Sequence, residues 1–165
     1  MKPPNISPNQ IRPLTPCGEV VVPESYRDSN GHMNMRWYSA LFDQAGDTFF
    51  EQVGLTPAYH RQRGTGGFDL EHHIHFLREV LPGDRLTFYL RVIGRSAKRL
   101  HYCLFMVNET RSTLAASFEC VNAFADLTVR KTAPYPGEVA ARLDALLLAH
   151  AALPWAPPIC GVMKA

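Results

Sequence analysis

The chain has 165 residues, enough for one domain with its own core and too few for two of ordinary size. Apolar residues make up 46% and charged residues 19%, which excludes an intrinsically disordered chain. A formal net charge of +2 without a basic run excludes nucleic acid as the expected partner, so an anionic ligand has to be held by a local cluster.

Residues 1–17 carry five of the thirteen prolines and read as an extended lead-in, because proline fixes φ and removes a backbone donor. This stretch has no apolar core and is not a signal peptide. Residues 18–136 read as the main domain and 137–165 as a C-terminal helix with a proline-rich tail. Glu19-Val20-Val21-Val22 is a short strand stopped by Pro23. A polar segment follows, Asp28-Ser29-Asn30-Gly31-His32-Met33-Asn34.

Beyond Asn34 the period changes. Tyr38, Leu41, Phe42, Ala45, Phe49 and Val53 fall on one side of a helix at about 100° per residue, with Asp43, Asp47 and Glu51 opposite. Gly54 is placed to end that helix. Thr56 to Gly67 reads as a loop, with Pro57 early and Gly64, Gly66 and Gly67 late.

Strands come next: Glu71 to Leu77, the turn Leu81-Pro82-Gly83-Asp84, then Arg85 to Ile93 with Leu86, Phe88, Leu90 and Val92 alternating. A basic turn, Gly94 to Arg99, leads into Leu100 to Asn108, and a long strand covers Leu114 to Val129. These lengths and short polar connections predict antiparallel hairpins. Pro136 to Ala152 has helical spacing in Val139, Leu143, Leu146, Leu147 and His150. Its apolar part contains Asp144 and His150 and is too short to span a bilayer. One long apolar-faced helix followed by a run of strands implies an α+β domain. The four cysteines, Cys17, Cys103, Cys120 and Cys160, have no ligand-like or framework spacing. A cytoplasmic protein without membrane attachment is expected.

Asp-x-x-Gly-His-x-Asn before a long helix resembles the active-site segment of hotdog thioesterases of the 4-hydroxybenzoyl-CoA thioesterase type. The resemblance continues through Tyr38 and Phe42, Glu71-His72-His73-Ile74 and Leu77 to Asp84, and covers about Val20 to Pro136. The residues 28–34 together with Glu71-x-His73-Ile74 are more loosely similar to betainyl-CoA thioesterases. The resemblance implies an antiparallel sheet wrapped around one long central helix, hydrolysis of an acyl-CoA with no cofactor beyond the coenzyme A of the substrate, and a homodimer or homotetramer in which the strand from Glu71 lies at the subunit seam.

Under that resemblance Asp28 serves as nucleophile or general base, and His32 orients the substrate or Asp28. Asn34 caps the helix whose first amides would stabilise an oxyanion, and Gly31 allows close backbone approach. Alone, the same spacing also describes a polar turn and a cap. Substrate-side candidates are Met35, Trp37 and Tyr38, the latter two as cation–π faces. Glu71 and His73, at i and i+2 on a strand, join them, as do Arg95, Lys98 and Arg99 for the phosphates of coenzyme A. Asp43 or Asp47 is an alternative carboxylate, and a solvated helix face explains both equally.

Two other functions fit part of the pattern. His73, His75 and Glu79 resemble the first metal motif of cupins, although its second motif is missing and a long helix is foreign to a jelly roll. A non-hydrolytic hotdog protein that binds or dehydrates acyl thioesters is the other. The absence of Gly-x-Ser-x-Gly argues against an α/β-hydrolase.

Overall fold

The helix expected after Asn34 runs from Met35 to Gln52 (α2) in the computed structural model, which describes residues 6–165. The Asn34 side chain accepts the Arg36 N–H at 3.1 Å, as an N-cap should. Gly54 ends the helix with φ +103° while its N–H bonds the Glu51 carbonyl at 2.9 Å. Tyr38, Leu41, Phe42, Ala45, Phe49 and Val53 are buried, whereas Asp43, Asp47 and Glu51 are exposed. The carboxylate stripe is therefore a solvated face.

The remaining elements are α1 (Pro8–Ile11), β1 (Pro16–Val21), a 3-10 turn (Glu24–Tyr26), α3 (Pro57–Arg63), β2 (Thr65–Phe76), β3 (Arg85–Arg95), β4 (Arg99–Asn108), β5 (Thr113–Asp126), β6 (Lys131–Thr132) and α4 (Gly137–Ala151). The strands form one sheet in the order β1-β3-β4-β5-β2, with β6 paired to β5. The chain divides into two compact units, and α2, β2, β3, β4 and β5 each contribute residues to both. No helix of the described residues is long and apolar enough to cross a membrane.

The first unit comprises the chain up to Thr48, Ile74–Leu90 and Leu104–Phe118. Its core is built around Phe42, fully buried, which lies 5.9 Å from the Phe88 ring and 5.2 Å from the Phe118 ring. The lead-in belongs to this core. Met1 to Asn5 lie outside the described residues, but Pro8–Ile11 is a helical turn whose Ile11 is fully buried. Proline at N1 costs no hydrogen bond, and the Gln10 side chain caps the Ser7 N–H at 2.9 Å. The expected extended conformation of residues 6–17 thus gives way to a turn and the first residues of β1. β1 pairs with β3 antiparallel, Gly18 opposite Phe88 and Val21 opposite Arg85.

Asp84 locks the turn that precedes β3. Its carboxylate accepts bonds from Leu81 N–H (2.9 Å), Asn108 Nδ2 (2.8 Å) and Arg111 Nε (3.1 Å), although the residue is only 4% exposed. Burial works to raise its pKa, but these donors outweigh it and hold the carboxyl below its ordinary value. A depressed pKa contributes stability that is present above the unfolded-state value and lost as pH falls through the folded one. Asp84→Asn is expected to cost about 2–3 kcal/mol at neutral pH, since Arg111 loses its counter-charge and the three donors are left with a neutral, weaker acceptor. The cost should shrink on acidification, measured as urea unfolding at pH 7 and in the acid range; an equal cost at both would exclude ionisation of Asp84 as its source.

The second unit comprises Phe49–His73, Arg91–Cys103 and Glu119–Ala165. Thr56 to Gly67 is not a loop here. Thr56 Oγ1 caps Tyr59 N–H at 3.1 Å, Pro57 opens α3, and Gly64 closes it with φ +61° and an N–H to His60 O. β2 starts immediately after, at Thr65. The tail after α4 is docked through Arg91, a cation inside a strand and only 5% exposed. Its guanidinium lies 4.2 Å from the Trp155 ring centroid and donates to the Trp155 and His150 carbonyls at 2.6 and 3.0 Å. His150 Nδ1 accepts the Val92 N–H at 2.8 Å, which requires the neutral ring. Burial, then the Arg91 charge, lowers its pKa accordingly.

Candidate active site

The polar segment folds into a small hairpin between the 3-10 turn and α2. Arg27 and Met33 form an antiparallel bridge, Asp28 N–H bonds His32 O at 2.9 Å, and Gly31 N–H bonds Asp28 O at 3.0 Å. Gly31 has φ +86°, which glycine adopts at no steric cost. The Asp28 carboxylate closes an Asx turn, one oxygen accepting Asn30 N–H at 2.8 Å. The other lies 3.5 Å from His32 Nδ1, a contact too long for a firm hydrogen bond. Asp28's side chain is 15% exposed and that of His32 37%, so the pair is sheltered but reachable.

Two backbone bonds tie this hairpin to its surroundings, Met33 N–H to Val80 O (2.7 Å) and Asn34 N–H to Tyr26 O (2.9 Å). The Asp28–His32 pair thus lies in a hairpin that runs through Asn34 straight into α2. A carboxylate held near a helix N-terminus places a base beside the positive end of the helix dipole. That arrangement suits attack on a carbonyl whose oxygen becomes negative.

Trp37 stacks on Tyr26 with ring centroids 3.8 Å apart, and the Arg36 guanidinium lies 5.0 Å from the Trp37 centroid. The Trp37 indole N–H is buried with no hydrogen-bond partner among the described residues. Native proteins rarely leave such a donor unmatched.

A family model described as the thioesterase-like superfamily matches residues 22–143, well over half of the chain. The chain belongs to the thioesterase-like superfamily. It is 36% identical over 143 residues to a betainyl-CoA thioesterase of Pseudomonas aeruginosa PAO1, covering 86% of this chain and 88% of that protein. A Staphylococcus aureus protein solved in complex with CoA superposes with a TM-score of 0.82 at 24% identity, covering 92% and 96% of the two chains. A 1,4-dihydroxy-2-naphthoyl-CoA thioesterase from Synechocystis superposes with a TM-score of 0.69 at 20% identity, covering 78% and 95%. These structural likenesses establish the hotdog fold, so the α+β expectation holds and the jelly-roll cupin alternative is overturned.

The other sequence candidates of this thioesterase have different surroundings. Met35 is 65% exposed at the first helical position. Tyr38 is core: 5% exposed, it packs edge-on against Phe76 at 5.1 Å and lies 3.4 Å from Arg78 O. Burial first raises its pKa to about 12, so it stays a neutral phenol. In the basic turn, Arg95 is paired with Asp144 through two bonds and Lys98 donates to Thr132 O at 3.2 Å, leaving Arg99 exposed. The two cations with intramolecular partners are less available for a phosphate.

On β2, Asp69 accepts from Asn122 of β5 at 2.7 Å, and His73 lies near Glu119 of β5. Glu71, between them, is exposed. Sequence reasoning missed Glu119. Its signal was a charged residue inside the apolar run of β5, where a buried carboxylate demands a partner.

Proposed function

We propose that this thioesterase hydrolyses an acyl-CoA, with betainyl-CoA the first substrate to test, and that Asp28 drives the attack on the thioester. The observation that supports it most is the Asp28 carboxylate, held by its Asx turn beside His32 and just before the Asn34-capped start of α2. As general base, Asp28 takes a proton from water as the oxygen adds to the carbonyl, and the intermediate collapses to free acid and CoA thiolate, which is reprotonated. As nucleophile, it forms an anhydride that water then opens. In both routes the growing oxyanion faces the Met35 N–H at the start of α2, because the Arg36 and Trp37 amides are bonded to Asn34.

The choice of betaine is supported by the 36% identity to a betainyl-CoA thioesterase. The Arg36 guanidinium, 5.0 Å from the Trp37 centroid on a ring that Tyr26 already stacks against, marks the aromatic face where a quaternary ammonium would take the place of that cation. Glu71 for the cationic acyl end and Arg99 for a phosphate are assigned on the sequence pattern. The proposed enzyme is a cytoplasmic homodimer or homotetramer that needs no cofactor. Assembly through β2 is supported by its place at the end of the strand order and by exposed Phe68, Leu70 and Phe76 along it.

Thiol release from a panel of aromatic, short aliphatic and betainyl thioesters tests the reading. A kcat/KM for betainyl-CoA roughly tenfold above that for a neutral thioester of the same size is expected, the scale of a desolvated cation–π contact. Preference for the neutral isostere would remove the betainyl assignment. Tight binding without thiol release from any member would favour the non-hydrolytic alternative.

A further inference from the structure

His73 of β2, Glu119 of β5 and Cys160 of the tail place one ligand atom each within 4.8 Å of one another. Residues far apart in sequence, all in the second unit, meet at a carboxylate that is 2% exposed. His101, itself 5% exposed, contacts Glu119 Oε1 at 2.8 Å through Nε2, and Cys160 N–H donates to Glu119 Oε2 at 2.7 Å. His101 and Cys160 each engage one carboxylate oxygen, and an oxygen of this kind has a second lone pair that can take a cation.

We propose that His73, Glu119 and Cys160 bind one divalent zinc ion, with His101 holding the Glu119 carboxylate in place, and that the ion fastens the C-terminal tail to the sheet. Imidazole, carboxylate and thiolate form a donor set suited to zinc, and three protein ligands leave a fourth position for water. Zinc bonds of about 2.0–2.3 Å put tetrahedral ligand atoms roughly 3.3–3.8 Å apart, so side-chain rotation alone closes the present spacing. The carboxylate and thiolate cancel the charge of the ion, which a site this buried requires. Binding displaces the Cys160 proton to solvent. A hydrogen bond from His101 to the carboxylate is the support that metal-ligating groups ordinarily have. The expectation of His73, His75 and Glu79 as ligands shared one residue with this set, but Glu119 and Cys160 take the place of the other two.

The test uses the full chain, stripped with chelator and titrated with zinc against a chromophoric competitor, then with cobalt(II) as a spectroscopic probe. One zinc per chain is expected, with a thiolate-to-cobalt charge-transfer band that Cys160→Ser lacks. His73→Ala and Glu119→Gln should weaken zinc at least about tenfold. Zinc should raise the unfolding temperature of the parent chain and not of Cys160→Ser. Substoichiometric binding, or a Cys160→Ser variant that binds zinc and cobalt like the parent, would overturn the site and leave a plain His101–Glu119 pair. Cys160 and His73 are part-exposed, so their variants decide the outcome even if the Glu119 variant fails to fold.

Discussion

Asp28→Asn is expected to lower thiol release from acyl-CoA by about 10²–10⁴-fold, the range that a positioned base supplies. Asparagine keeps the oxygen that accepts Asn30 N–H at 2.8 Å, so the Asx turn persists and unfolding should change little. Loss of turnover with an unchanged unfolding midpoint therefore isolates the charge from the architecture. KM should move less than kcat, because the missing interaction belongs to the attack and not to the docked substrate. If Asp28→Asn turned over like the parent, Asp28 would be only a turn former. Asp43 and Asp47, both exposed on α2, would then be the next carboxylates to replace.

Phe42→Ala should cost about 3–5 kcal/mol, the scale of truncating a fully buried phenylalanine. The ring is fully buried between Phe88 of β3 and Phe118 of β5, so its removal leaves a cavity that rigid sheet residues cannot refill. For a chain of this size the unfolding temperature should fall by roughly 6–20 °C. Phe42→Leu, which keeps most of the volume, should lose only about 1–2 kcal/mol. Urea titrations of both variants measure the difference. A loss below about 1 kcal/mol for the alanine variant would mean that α2 does not anchor this core.

Much of the fold was legible because its long elements repeat their signal. α2 shows its buried face at Tyr38, Leu41, Phe42 and Ala45, its cap at Asn34 and its stop at Gly54, and the structure follows all three. β3, β4 and β5 were visible as apolar runs between polar turns. The short elements were not. α1 has four residues and α3 seven, too few for a helical period to show, and caps and tertiary burial stabilise them. Prolines that read as breakers, Pro8 and Pro57, turned out to open those helices.

By itself the sequence determined the class of the domain, the helix that carries its core, and the run from Asp28 and His32 through Asn34 into that helix. All of these depend on neighbours within a few residues, where local geometry follows from residue type. Only the tertiary structure decided the partners of groups far apart along the chain. It joined Arg95 to Asp144, buried Tyr38 in the core, paired Asp69 with Asn122, and brought Cys160 to Glu119 across 41 residues. Such pairings leave no periodic trace, because a contact across the sheet depends on register, and a shift of one residue reverses which side chains meet.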